Sequence, residues 1–253
     1  MNRAIILNTC KEKLRRKDWI ILGAVMLLLL LFFSGGNSSI TVGGQELTDW
    51  VMLFPYFMIV GSLACGLSAI FMSAGAIPLE YERKNSHLIW ARGISQPRYH
   101  FSVALGNAFG TAMAAAMFYI TCIIFTLAKN GAAILARLPV SFLLTLLVVF
   151  ALSFLTSALS VKLPPAAATI IMALVFIIGI MKNVLNMLVS SMEGGSAAIL
   201  RGAVYIWPNF SDMTAQAGNF AQGRAVDIHS LLGAGLMMYA GMVLLYILRR
   251  KEA

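Results

Sequence analysis

Six apolar runs alternate with polar segments along the chain. They lie at residues 19–34, 50–79, 101–128, 138–161, 166–187 and 230–248. An α-helix rises ~1.5 Å per residue, so about 20 apolar residues cross the ~30 Å hydrocarbon core of a bilayer. The pattern therefore predicts an all-α, polytopic membrane protein in which six transmembrane helices form a single domain over residues 1–253.

The first two runs depart from the expected length in opposite directions. The first run, 19–34, is short for a span, and a cleaved signal peptide is the alternative there, although no A-x-A cleavage site follows it. The second run, 50–79, contains no charged residue and is longer than a bilayer requires. Its far end is therefore expected to project past the lipid headgroups.

Residues 1–18 precede the first run and combine many cations with an apolar stripe. At 100° per residue, one helix face carries Ile6, Leu7, Cys10 and Leu14. Lys13 lies among the cations that occupy the remaining surface. The pattern predicts an interfacial helix resting on an anionic membrane surface, with a solvated tail as the alternative.

Two later segments have a distinct composition. In the third run, Gly106 and Gly110 have the four-residue spacing that lets another helix approach closely. Between the fifth and sixth runs, the long segment 188–229 contains an apolar stretch, 197–207, that Pro208 closes. This stretch is too short to cross a bilayer and predicts a short re-entrant element before the last helix.

The composition agrees with a membrane protein. Hydrophobic residues make up 60% of the chain, charged residues make up 11%, and the mean hydropathy is +0.84. A soluble globule of this size cannot bury that much apolar surface, so a soluble enzyme and a nucleic-acid module are excluded despite the net charge of +9. Most of the 19 Lys and Arg residues lie in segments that become cytoplasmic if the chain begins in the cytoplasm. Both termini are therefore predicted to be cytoplasmic, at the plasma membrane.

Motifs for chemistry within this chain are absent from the sequence. It contains no G-x-x-x-x-G-K-[ST], H-E-x-x-H, G-x-S-x-G or C-x-x-C, so we expect no enzymatic activity, metal site or cofactor in this chain. No acidic residue lies deep in a predicted span, which disfavours an ion-coupled secondary transporter. That class, or a channel, remains the main alternative, followed by a structural membrane protein and a membrane enzyme.

The segment 80–100 is the densest charged loop and follows the over-long second run. Ser86 can cap a short helix that Gly93 ends. Its apolar centre, with Arg92 at its end, suits a groove on a partner protein. The alternative is an amphipathic loop resting on lipid headgroups. The proposed helix consists of Ser86, His87, Leu88, Ile89, Trp90, Ala91 and Arg92.

This loop resembles the segment after the second span in permease subunits of type-2 ABC transporters, the exporter-like group. The matching positions are Glu80, Glu82 and Arg83, then 88–90, then Gln96, Pro97 and Arg98. Asn85-Ser86 stands where the family has Gly-Thr, and the Pro-x-Ser-Arg ending is contracted to Pro97-Arg98. The basic helix over 1–18 and the 205–210 segment are similar to the elbow helix and the re-entrant element of that family.

The resemblance implies a mechanism and a set of partners. Two copies, or one copy and a paralogue, would pair in the bilayer with cytosolic ATPase subunits that bind ATP and Mg. Residues 86–92 would form the coupling helix seated in the ATPase. A lever or gate at the membrane edge would consist of Glu80, Glu82, Arg83 and Arg98. The expected activity is export of a substrate that the sequence does not identify, with no nucleic-acid partner.

Overall fold

The structure is a computed structural model. It describes residues 2–16, 50–82, 92–129, 131–192 and 195–249, together with the short pieces 20, 23–24, 28, 40–42 and 45–47. The helices are α1 (Arg3–Arg15), α2 (Trp50–Ala74), α3 (Ala76–Glu82), α4 (Gln96–Ala128), α5 (Ala132–Leu135), α6 (Leu138–Ser160), α7 (Pro165–Ile180), α8 (Lys182–Ser190), α9 (Gly195–Ile206), α10 (Phe210–Ala221) and α11 (Ile228–Ile247). The strands are β1 (Ile40–Val42) and β2 (Gln45–Leu47).

The helical fold class predicted from the sequence is confirmed, together with several helices long and apolar enough to cross a membrane. Among the described residues, four such spans are Leu53–Glu82, Gln96–Ala128, Leu138–Ser160 and Ile228–Ile247. They coincide with the second, third, fourth and sixth apolar runs. The first run, 19–34, lies largely outside the described residues.

The fifth run was predicted as a span over 166–187, and the structure divides this run between two helices. Helices α7 and α8 are bent by 58° at Met181, so the pair is either a broken span or a re-entrant loop. The polar residues at the bend explain it. Lys182 donates to the carbonyls of Tyr205 and Trp207 at the end of α9, and Asn183 donates to Asp212 in the first turn of α10.

Two segments predicted as loops contain secondary structure. The polar segment before α2 includes the antiparallel hairpin β1–β2, in which Val42 pairs with Gln45. Gly43 and Gly44 stand between the strands in the sequence, and Gly-Gly is a favoured composition for a two-residue hairpin connection. The segment 188–229 contains α9, which covers the apolar stretch 197–207 almost exactly, and also α10.

The core lies where α2, α4 and α6 pack together, with α7, α10 and α11 against them. Phe57 and Phe118 are fully buried and tilt against each other with ring centroids 5.3 Å apart. The ring of Phe118 also occupies the space beside Gly61, where a Cβ would lie 2.0 Å from it. Aromatic side chains packed on small residues thus contribute to the contact between α2 and α4.

Candidate functional site

The candidate site is the membrane-edge end of α3 and α4, on either side of the connection that was predicted to bind a partner. Helix α4 begins after Ser95, with Pro97 at its start, where a missing N–H costs no helical hydrogen bond. Gly93 has a φ of 71°, a left-handed conformation that glycine adopts without strain. Pro97 therefore lies in the first turn of α4, as expected for the start of a new segment, whereas the helix that Gly93 was predicted to end lies outside the described residues.

Five polar side chains join α3 to α4 directly, and we call them the edge cluster: Glu80, Tyr81, Gln96, Tyr99 and His100. The Tyr99 phenol donates to Oε2 of Glu80 at 2.7 Å. Nε2 of Gln96 donates to the Tyr81 hydroxyl at 2.8 Å. That hydroxyl lies 2.7 Å from Nε2 of His100, with the donor set by the histidine tautomer.

Burial strengthens the edge cluster. Tyr99 and His100 are almost completely buried, and Glu80 and Tyr81 are half-buried. Hydrogen bonds in such a setting are shielded from competing water. The helices on either side of the connection, α3 and α4, are therefore joined by hydrogen bonds where the connection begins and ends.

The predicted site residues are only partly brought together. Glu80 belongs to the edge cluster, whereas Glu82, Arg92 and Arg98 are exposed and stand outside it. Arg83 and residues 86–91 lie outside the described residues. All of the predicted coupling helix except Arg92, and Arg83 of the predicted lever, therefore lie in a part of the chain that the structure does not describe.

Sequence reasoning missed three members of the edge cluster, Tyr81, Tyr99 and His100, and named Gln96 only as a motif position. The available signal was compositional, because Tyr is enriched where helices leave a membrane and its hydroxyl seeks a polar partner. The pairing itself could not be read from the sequence, since it depends on how α3 and α4 approach each other.

A second set of contacts lies near the joint where α2 ends at Ala74 and α3 begins at Ala76. Nζ of Lys13 donates to the carbonyl of Met72 at 2.6 Å, and Lys13 is only 6% exposed. The last carbonyls of a helix lack intrahelical partners and carry partial negative charge, so an ammonium is a favourable partner for them. Helix α1 thus contacts the end of α2 through the side chain of Lys13.

Helix α1 is seated on the two glycines of α4. A Cβ at Gly106 would lie 2.6 Å from the carbonyl oxygen of Ile6, and one at Gly110 would lie 2.8 Å from Cβ of Lys13. The prediction that these glycines permit close approach is confirmed, and the partner is α1.

The face of α1 that packs on the protein differs from the apolar stripe that was predicted to rest on the membrane surface. The buried residues are Ile6, Thr9 and Lys13, whereas Leu7 is 48% exposed. The surface of α4 at Gly106 and Gly110 contacts a narrow face of α1. The Lys13 ammonium donates a hydrogen bond to the carbonyl at the end of α2. Lys13 is therefore buried, although the apolar periodicity of α1 alone would leave it on the surface.

A buried polar group joins α2, α4 and α6 one residue beyond Met72. Nδ2 of Asn107 donates to Oγ of Ser73 at 2.7 Å and to Oγ of Ser153 at 3.3 Å, and the two serine oxygens are 2.9 Å apart. All three residues are fully buried. Polar contacts between membrane helices are worth ~0.6 kcal/mol on average, so this group chiefly fixes the relative position of the three helices.

The described residues offer no assembled metal centre. Within them, no group of three or more His, Cys, Asp or Glu side chains could hold a metal ion. Comparisons of the chain with protein families, with curated proteins and with solved structures find no match.

Proposed function

We propose that this chain is the membrane permease subunit of an ABC transporter and that residues 86–92 bind a cytosolic ATPase. The observation that carries the proposal is the edge cluster, in which Tyr99–Glu80 and Tyr81–His100 contacts fasten α3 to α4. A force applied to the connection between them acts on both helices together. This is the arrangement that a subunit moved by its partner requires.

The length of the helix that leads to this connection supports the proposal. Leu53–Glu82 comprises 30 residues, or ~45 Å of helix, against a hydrocarbon core of ~30 Å. Its end therefore reaches past the lipid, toward the place where an ATPase would bind. The Lys13 and Asn107 contacts near Met72 connect this helix to α1, α4 and α6, so its movement would be passed to the rest of the domain.

The full arrangement proposed has six spans, the first at 19–34, with α9 as the re-entrant element. Both termini are cytoplasmic and the membrane is the plasma membrane. A second copy or a paralogue completes the pore, ATP and Mg bind to the ATPase, and a substrate is exported. Large exposed apolar side chains on α11, such as Leu232 and Leu236, suit contact with lipid or with a second subunit.

An ion-coupled secondary transporter is less well supported. Such carriers use ionisable residues inside the membrane, and the runs 50–79, 101–128 and 138–161 contain no Asp, Glu, Lys or Arg. Energy from a separate ATPase fits this composition better.

Co-purification tests the proposal. The tagged full-length chain is purified from its native membranes, and mass spectrometry should identify a protein with the G-x-x-x-x-G-K-[ST] motif. Trp90→Ala and Leu88→Asp should each reduce recovery of that ATPase by about tenfold or more, because a buried anchor contributes ~2 kcal/mol to an interface. Trp50→Ala, at the other end of α2, is the matched control and should leave recovery unchanged.

Two results would contradict the proposal. One is the absence of any such ATPase from the purified complex under conditions that preserve membrane insertion. The other is normal recovery of the ATPase with both Trp90→Ala and Leu88→Asp.

A further inference from the structure

A cavity of about 430 Å³ lies between α8 and α9, away from the edge cluster. It is lined by Asn186, Val189, Ser190, Arg201 and Tyr205. Three of these side chains carry strong hydrogen-bond donors, namely the amide of Asn186, the guanidinium of Arg201 and the phenol of Tyr205. None of these lining residues, all in the described part of the chain, is acidic, and their donors favour an anionic ligand.

The walls of this cavity are fixed at both ends. At one end, Nζ of Lys182 donates to the carbonyls of Tyr205 and Trp207, at 3.1 and 2.5 Å. At the other end, Nη2 of Arg201 donates to the carbonyl of Met192 at 3.0 Å. These contacts tie α8 to α9, so a ligand would meet a site that is already formed and would incur little ordering cost.

The two helices that form the cavity also expose large apolar side chains. Met187 on α8 and Ile199 and Ile206 on α9 are each about three-quarters exposed or more. Helices that carry both a cluster of donors and exposed apolar side chains match a ligand with an anionic head and hydrocarbon tails. The free anion alone would leave that apolar surface uncovered.

We propose that the cavity between α8 and α9 binds the phosphate headgroup of an anionic phospholipid from the surrounding bilayer. Arg201 presents a planar fork of donors that suits two oxygens of a phosphate, and Asn186 and Tyr205 supply further donors. The acyl chains lie along the exposed apolar side chains of α8 and α9. This site does not depend on the proposed ATPase partner.

Native mass spectrometry of the detergent-purified full chain tests the site. With phosphatidylglycerol, the chain should retain one tightly bound lipid, and phosphatidylcholine should bind at least several-fold more weakly. Arg201→Gln should weaken phosphatidylglycerol binding by about tenfold or more, because hydrogen bonds to charged groups are among the stronger ones. Arg224→Gln, at an exposed arginine that does not line the cavity, is the matched control and should bind as the parent does.

Other outcomes would overturn the proposal. These are equal binding of the two lipids, unchanged binding by Arg201→Gln, equal losses in both arginine variants, or displacement of the lipid by millimolar inorganic phosphate. Tyr205→Phe keeps the proposal testable if Arg201→Gln does not fold, since Tyr205 is 85% exposed and its hydroxyl is removed without a cavity. This variant should also weaken phosphatidylglycerol binding, and an affinity equal to that of the parent would count against the site.

Discussion

At the residue scale, Lys13 is the side chain whose position is least expected. A lysine is seldom buried unless its ammonium is paired, and here the ammonium is directed at the carbonyl of Met72, 2.6 Å away. The aliphatic stem packs beside Gly110, where no side chain competes for the space. The residue therefore serves both as packing for α1 and as a cap for the last turn of α2.

Replacing Lys13 with Met should destabilise the protein. The variant keeps an apolar stem but removes the ammonium that bonds Met72. Hydrogen bonds to charged groups are worth ~1.5–3 kcal/mol, and part of this is offset because the ammonium no longer has to be buried. We expect a net loss of about 1 kcal/mol, seen as a Tm lower by about 2–4 °C in thermal unfolding of the detergent-purified chain.

Lys11→Met is the control for this substitution, because Lys11 lies two residues away on the exposed face of the same helix. It should leave the Tm unchanged. Equal shifts in the two variants, or a higher Tm for Lys13→Met, would mean that the contact with Met72 does not stabilise the fold.

At the element scale, the packing of α1 on α4 depends on the absence of two side chains. Gly106 faces the backbone carbonyl of Ile6. This carbonyl cannot move aside unless the whole of α1 shifts. Asn2 adds a hydrogen bond from its backbone N–H to Oγ of Ser102 at 3.3 Å. The contacts run along both helices in the same direction, so α1 lies lengthwise on the start of α4.

Gly106→Ala should separate α1 from α4, and Cys10 on α1 can report this. Burial raises the pKa of the Cys10 thiol above its ordinary value, so less of the reactive thiolate is present at a given pH. When α1 separates, that pKa should fall toward its ordinary value and the thiol should become accessible. We expect maleimide labelling of Cys10 at pH 8 to become several-fold faster in this variant.

Gly235→Ala is the matched control, because a Cβ at Gly235 on α11 would meet nothing within 4 Å. Its rate of Cys10 labelling should equal that of the parent. Labelling that is equally slow in Gly106→Ala would show that the glycine is not needed for the close approach.

The elements divide clearly into those that the sequence predicts and those that it does not. Long apolar runs such as 101–128 and 138–161 predict their helices well, because hydropathy is a property of many residues at once. The bend at Met181 was missed because it depends on the partners that Lys182 and Asn183 find on another segment. The edge cluster was missed for the same reason, since Tyr99 and Glu80 meet only when α3 and α4 pack.

At the scale of the whole molecule, the length of α4 sets the distance between the two segments that it connects. Gln96–Ala128 comprises 33 residues, or ~50 Å of helix, which exceeds the ~30 Å hydrocarbon core. The connection before α4 and the short helix α5 after it must then lie on opposite sides of the membrane if α4 spans it. The distribution of Lys and Arg along the sequence predicts that residues 80–100 face the cytoplasm.

Labelling with a membrane-impermeant maleimide on intact cells tests this assignment. In a Cys10→Ser background, Asn85→Cys should be labelled only after the membrane is permeabilised, because the connection is expected to face the cytoplasm. Ala133→Cys, on the exposed surface of α5, should be labelled in intact cells and provides the matched control. Cys65 and Cys122 are buried and should contribute little background. Labelling of Asn85→Cys from outside would reverse the orientation and would also remove the proposed ATPase contact, because residues 86–92 would then lie on the wrong side of the membrane for a cytosolic partner.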